Sequence, residues 1–338
     1  MIFITLTYSI FIVLLTILFK KKKIFSNYTG DNHQLFSNQK NIPLVGGIFL
    51  LLPIILINHQ NYIFSILIIT IFLLGFCSDR KFLISAKKRF LFQIIIVFCC
   101  VIFLNLEIAT SRLVFFDNFL QNYIFNIFFT SFCLLILING ANFIDGLNGL
   151  LMLNMTSVIF ILFKFDLING LTIDKNFISY FFFIITILII LNLFNLLMLG
   201  DAGAYILSFF VGYLIIKCHF LNTFISPYFF ITLLWYPCFE NLFSIIRKLK
   251  TKFSPLSPDN NHLHQLLYVY LKNILIKNKL LANNISSLLI SIFNLTIIFI
   301  SSINFYSSIY QIKIIIFSIF IYSILFILLE KKIKKLKG

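Results

Sequence analysis

The sequence predicts an all-α fold: a polytopic transmembrane helical bundle of about 10 to 11 spans, with its active site on one membrane face, the cytoplasmic one. Three observations lead there. The chain has 338 residues, of which 60% are hydrophobic and only 11% charged, too few charges to cover a soluble core of that size. Its apolar runs are about 15 to 23 residues long and follow one another from end to end. The runs do not alternate apolar with polar residues, so backbone groups in lipid are satisfied within helices rather than in a barrel.

The spans are expected near 2–19, 43–57, 62–76, 90–108, 123–138, 147–163, 177–199, 203–216, 228–246, 284–303 and 309–329. The first run is followed by Lys20–Lys23 and no small-residue cleavage site, and reads as a retained span rather than a removed signal peptide. The runs at 43–57 and 203–216 are short and begin beside glycines, where a tilted or broken helix would fit. The 228–246 run reads as one continuous span. No repeat or flexible linker interrupts the chain, so 1–338 is expected to form a single membrane domain, with a loop at about 247–283. Six cysteines without CxxC spacing read as buried free thiols.

Net charge is +16, but position argues against a nucleic-acid partner. With these spans, 22 of the 27 basic residues fall on one side, among them Lys20–Lys23, Lys40, Arg80, Lys87, Lys88, Arg89, Arg247, Lys248 and the tail Lys331–Lys337. The positive-inside rule makes that side cytoplasmic, with the N-terminus outside and the C-terminus inside. Anionic membrane lipids are the expected partner of the basic tail.

Asp79, Asp145 and Asp201 lie at the cytoplasmic ends of three different spans, each beside small residues. Carboxylates at span ends must be hydrated or paired, and three on one face can converge on a divalent cation. Oxygen donors of this kind suit Mg²⁺, which keeps waters and shares its shell with phosphates. In Asn142-Phe-Ile-Asp145-Gly-Leu-Asn148-Gly, helical spacing would stack Asn142, Asp145 and Asn148 on one face. In Leu199-Gly-Asp201-Ala-Gly203 the carboxylate opens a span, where helix N–H groups can receive phosphate oxygens. The basic loop carrying His262 and His264, and Lys40 beside the Pro43–Gly47 turn, fit an anionic substrate; solvated loop histidines and a snorkelling lysine are the alternatives. Glu240, inside a span, pairs with Arg247 or with an interior polar group.

Five segments in order resemble the polyprenyl-phosphate N-acetylhexosamine-1-phosphate transferase family, glycosyltransferase family 4, over about residues 40–267. They are Pro43-Leu-Val-Gly46-Gly47, Gly75-Phe-Cys-Ser78-Asp79, Asn142-Phe-Ile-Asp145-Gly-Leu-Asn148-Gly, Leu199-Gly-Asp201-Ala-Gly203-Ala-Tyr205 and Pro258-Asp-Asn-Asn-His262-Leu-His264. The His-x-His loop is more similar to the sugar-transferring branch than to the muramoyl-pentapeptide branch. The resemblance implies a bacterial inner-membrane enzyme in which polyprenyl (undecaprenyl) phosphate attacks the β-phosphorus of a UDP-N-acetylhexosamine. UMP leaves, and the lipid-linked product starts a cell-envelope polysaccharide such as lipopolysaccharide O-antigen. It implies Mg²⁺ (or Mn²⁺) as cofactor and a homodimer as one arrangement. By motif, Asp201 and Asn142 would hold the metal. Asp79 would orient or deprotonate the lipid phosphate, Asp145 would join it as a catalytic carboxylate, and Asn148, His262, His264 and Lys40 would contact the nucleotide sugar.

Two positions depart from the family pattern: Ser78 and Asn148 stand where many members carry Asp. They motivate an alternative, a non-catalytic scaffold that binds lipid phosphate. A transporter or flippase of lipid-linked sugars is the other rival, but it predicts acids at span centres rather than at one interface.

Overall fold

A computed structural model describes residues 2–26, 42–83, 85–171, 173–250 and 261–337. Among them run fourteen helices: α1 (Ile2–Lys22), α2 (Gly46–Ile57), α3 (Tyr62–Asp79), α4 (Ala86–Phe103), α5 (Val114–Leu120), α6 (Tyr123–Ile144) and α7 (Leu150–Lys164). They continue with α8 (Lys175–Leu193), α9 (Gly200–Leu221), α10 (Pro227–Leu233), α11 (Trp235–Lys250), α12 (Leu263–Ile274), α13 (Lys279–Ser301) and α14 (Ser308–Lys337). No strand forms among the described residues beyond a single parallel bridge, Leu44 to Met198. Seven helices are long and apolar enough to cross a membrane, and the α10–α11 pair would make an eighth. The remaining expected spans are the short apolar α2 and α7 and the basic-tipped α4.

The bundle is built around α9, whose membrane span is 83% buried whereas the others are at most half buried. Small residues let its neighbours come close. A Cβ on Gly75 of α3 would lie 2.4 Å from the Ala202 Cα, and one on Gly47 of α2 would lie 2.5 Å from the Gly203 nitrogen. The run expected as short at 203–216 is therefore an unbroken 22-residue helix.

The span expected at 228–246 is not continuous. It breaks at Leu234 with a 78° bend between α10 and α11. Pro237 supplies the reason: it has no N–H to donate, and its ring clashes with a helical carbonyl four residues back, at Leu233. The break brings α11 against α6 so tightly that a Cβ on Gly140 would lie 2.1 Å from the Pro237 carbonyl oxygen. The described residues of the segment expected as a loop at 247–283 are also largely helical. Its α12 is amphipathic and buries Leu263, Leu266, Tyr268 and Leu271.

Connections alternate between two ends of the bundle. At one end the Lys20 ammonium donates to the Asn195 carbonyl, and Asn148 bonds Asn195 and Asn284. At the other, Asp174 N–H bonds the Ile57 carbonyl, Asn222 bonds the Leu167 carbonyl and Ser226 N–H bonds the Phe305 carbonyl. Asp79, Asp145 and Asp201 all belong to the first end. All six cysteines are free, Cys100 and Cys218 buried and the other four half-buried.

Candidate active site

Gly200 opens α9 with φ +76°, a backbone conformation that side chains disfavour. A Cβ there would also lie 2.7 Å from Asp79 Oδ2. Glycine thus lets Asp79, the last residue of α3, slide under the first turn of α9. Its Oδ1 accepts the Asp201 N–H at 2.8 Å and its Oδ2 accepts the Ala202 N–H at 3.0 Å. The helix N-terminus that the sequence offers to a phosphate is occupied by a protein carboxylate, which satisfies two of its orphan donors and complements the helix dipole.

That geometry turns the Asp201 side chain outward. Its Oδ2 accepts the Ser78 hydroxyl at 2.5 Å and Arg89 Nη1 at 3.1 Å, and Arg89 also donates to Ser78 Oγ at 2.7 Å. Arg89 and Asp201 remain partly exposed, so a ligand can reach them. The departure at Ser78 leaves Asp201 with a hydroxyl donor in place of a second negative charge. Arg89 was not singled out in the sequence; it is one of three consecutive basic residues, and only the α3–α4 packing separates it from Lys87 and Lys88.

Asn142, Asp145 and Asn148 do not share one helical face. Helix α6 ends at Ile144, Asp145 caps its C-terminus, and the chain turns through Gly146 to Gly149, which has φ +74°. Asn142 is half-buried on the last turn of α6. Asn148 is buried: its N–H donates to Asn283, and its amide nitrogen donates to Asn195 and Asn284. Burial first, then the negative charges of Asp201 and Asp79, pushes the Asp145 carboxyl well above the usual carboxylate range.

His262 and His264 reach the same end. A Cβ on Gly146 would lie 3.3 Å from His264 Nε2, and the Phe143 and His262 rings are 5.1 Å apart. The two imidazoles stack at 5.6 Å. Lys248 approaches the Phe143 ring to 5.8 Å. Glu240 pairs not with Arg247 but with His262, whose Nδ1 lies 2.8 Å from Glu240 Oε1. Arg247 instead sits over the Phe326 ring. Lys40, Pro258 and Asp259 lie outside the described residues.

Among the described residues, no three His, Cys, Asp or Glu side chains come close enough together to hold a metal ion by themselves. The carboxylates at 79, 145 and 201 therefore do not form the three-acid cage that their positions suggest, because Asp79 is committed to α9. What stands at the site is Asp201, open to a ligand, with Asp145 crowded by like charge. That donor set fits an ion that takes few protein oxygens and fills its shell with water and phosphate, as Mg²⁺ does.

The pattern of Glycosyl transferase family 4 matches residues 61–219. The undecaprenyl-phosphate α-N-acetylglucosaminyl 1-phosphate transferase of Escherichia coli O157:H7 is 30% identical over 253 residues, covering 68% of this chain and 66% of that protein. The chain is similar to glycosyl transferase family 4 over these residues. The Salmonella typhi protein of the same name is 28% identical over 248 residues, again with 68% and 66% coverage, just under two thirds of the relative's length. A phospho-N-acetylmuramoyl-pentapeptide-transferase of Prochlorococcus marinus is 29% identical over 146 residues, 38% of this chain and 40% of that protein. The family match holds Asp79, Arg89, Asp145 and Asp201, and ends before the two histidines.

Proposed function

We propose that this protein transfers an N-acetylhexosamine 1-phosphate from a UDP-sugar to polyprenyl phosphate, releasing UMP. A lipid phosphate oxygen forms the new bond to the β-phosphorus. The bond from that phosphorus to the bridging oxygen breaks, and its electron pair leaves with UMP. The observation that carries the reading is the assembly at the end of α9: Asp79 under the helix, Asp201 beside Arg89, and Asp145 and the two histidines from distant parts of the chain at the same end. The match of residues 61–219 to the family pattern supports it.

Each side chain has work that its geometry allows. Arg89, half in solvent, offsets phosphate charge while it holds the outward aim of Asp201. Asp201 and Asn142 would hold Mg²⁺, which when bound would neutralise diphosphate oxygens. Asp145, crowded by negative charge, lies where such an ion or a shared proton relieves it. His262, with Nδ1 against Glu240, has Nε2 left for the nucleotide sugar. Asp79 serves by locking α9, and with it the backbone of Asp201, in place. Ser78 and Asn148 both find protein partners, so neither departure removes Asp201 from the site. We also propose that this end faces the cytoplasm, since Lys20–Lys23, Lys87, Lys88, Arg89 and the tail lysines gather there.

The test is direct: purified protein, Mg²⁺, polyprenyl phosphate and a panel of UDP-N-acetylhexosamines. Release of UMP with at least one sugar is expected. Folded protein that releases none from any sugar would favour a lipid-phosphate-binding scaffold.

A further inference from the structure

Glu240, on α11, is 1% exposed, and both oxygens of its carboxylate are bonded. Oε1 accepts from His262 Nδ1 at 2.8 Å and from the Leu263 N–H at 3.3 Å, and Oε2 accepts the Tyr322 hydroxyl at 2.8 Å. Tyr322 belongs to α14, the final helix, well beyond the residues that match the family. Its ring is fully buried, edge-on to Phe239 at 4.9 Å and to Phe243 at 5.4 Å. One turn before Glu240 on α11, the Tyr236 hydroxyl lies 3.4 Å from His264 Nδ1.

A buried ionised carboxylate persists only if its oxygens are bonded, and one of these bonds holds His262 at the site. With the Nδ1 proton held by Glu240, His262 has one ring nitrogen, Nε2, left for a ligand, and its ring cannot rotate without breaking that bond. Removing the Tyr322 donor leaves one buried oxygen of Glu240 unpaired, and the carboxylate is then free to shift or rotate away from His262. Among the described residues, Lys248, 5.8 Å from the Phe143 ring, and Arg247, over the Phe326 ring, also approach this cluster.

We propose that Tyr322 is a positioning residue of the transferase site: through Glu240 it fixes the tautomer and aim of His262, so the last helix forms part of the active-site support. This rests on the transferase reading above. The tempting alternative is that Tyr322 only fills the aromatic cluster with Phe239, Phe243 and Phe326. The Tyr322→Phe substitution separates the two, because it keeps the ring and removes only the hydroxyl.

Steady-state UMP release by the full-length protein, with the nucleotide sugar varied, is measured for wild type, Tyr322→Phe, His262→Asn and the double variant. Tyr322→Phe is expected to lose about tenfold in kcat/KM, the equivalent of one net hydrogen bond. Added to His262→Asn it should cause no further loss, since its effect travels through that ring. Phe243→Leu, which loosens the aromatic cluster and leaves the hydroxyl, should lower thermal stability with the same kcat/KM in folded protein. Unchanged kinetics in Tyr322→Phe, or losses that multiply in the double variant, would overturn the proposal. Should Tyr322→Phe fail to fold, Glu240→Gln carries the test: full activity there sinks the relay. A folded wild type that releases no UMP refutes the transferase reading, and the proposal falls with it.

Discussion

Replacing Asp79 by Asn separates two roles that the sequence leaves merged, catalytic base and helix cap. The side chain keeps its volume but loses its charge and one of its two acceptors. One of the two α9 donors, at Asp201 or Ala202, then faces an amide NH2. Reorientation is blocked because Gly200 already packs against the carboxylate, leaving 2.7 Å to the site of a missing Cβ. A buried donor left unpaired costs about 1–3 kcal/mol. Loss of the charge at a helix N-terminus adds about 0.3–1 kcal/mol, and up to ~2 kcal/mol when partly buried. The total is about 1–5 kcal/mol. Thermal unfolding of detergent-solubilised protein, followed with a thiol-reactive dye that reports exposure of buried Cys100 and Cys218, should show the loss without any substrate. UMP release should fall with it. If Asp79→Asn unfolds at the wild-type temperature and is nevertheless inactive, the cap is not its contribution and the carboxylate acts in the chemistry.

Asp201→Asn should behave in the opposite way. Its contact with Arg89 is partly exposed, so the stability change should stay below about 1 kcal/mol, while Mg²⁺-dependent UMP release is abolished; a variant that keeps the full rate would remove Asp201 from the metal site. A reporter fused after Gly338 should be active only in the cytoplasm, and activity on the far side of the membrane would reverse the assignment of the two faces.

Much of the site was legible in the sequence because membrane chemistry makes polar residues conspicuous. Asp79, Asp145 and Asp201 stand at the ends of apolar runs, and a shared end follows from counting the runs between them. Their local partners were not legible. Whether Asp79 faces a ligand or a helix depends on the left-handed turn at Gly200 and on the close approach of Gly75 to Ala202, and neither is a pattern in the chain. Asn148 shows the same limit: three-residue spacing places it beside Asp145 in a helix, but α6 ends at Ile144 with Asp145 as its cap, and the Asn148 side chain turns into a cluster with Asn195 and Asn284. At 228–246 a signal was present. Pro237 within the run is a break signal, and the apolar composition around it masks that signal.

Composition and run length by themselves determined that the chain is a helical membrane bundle, and the order of its small-residue and acidic segments determined the family it resembles. These properties are local or additive: a backbone in lipid must bond within its own helix, and basic residues distribute by side. Tertiary structure alone decided which atoms the acids meet. It set Asp79 under α9, turned Asp201 toward Arg89, and brought Tyr322 from the last helix to Glu240 and His262. Those contacts join residues up to 123 positions apart in the chain, and hydrogen bonds of about 3 Å depend on interhelical distances that glycine contacts and one proline-linked bend fix.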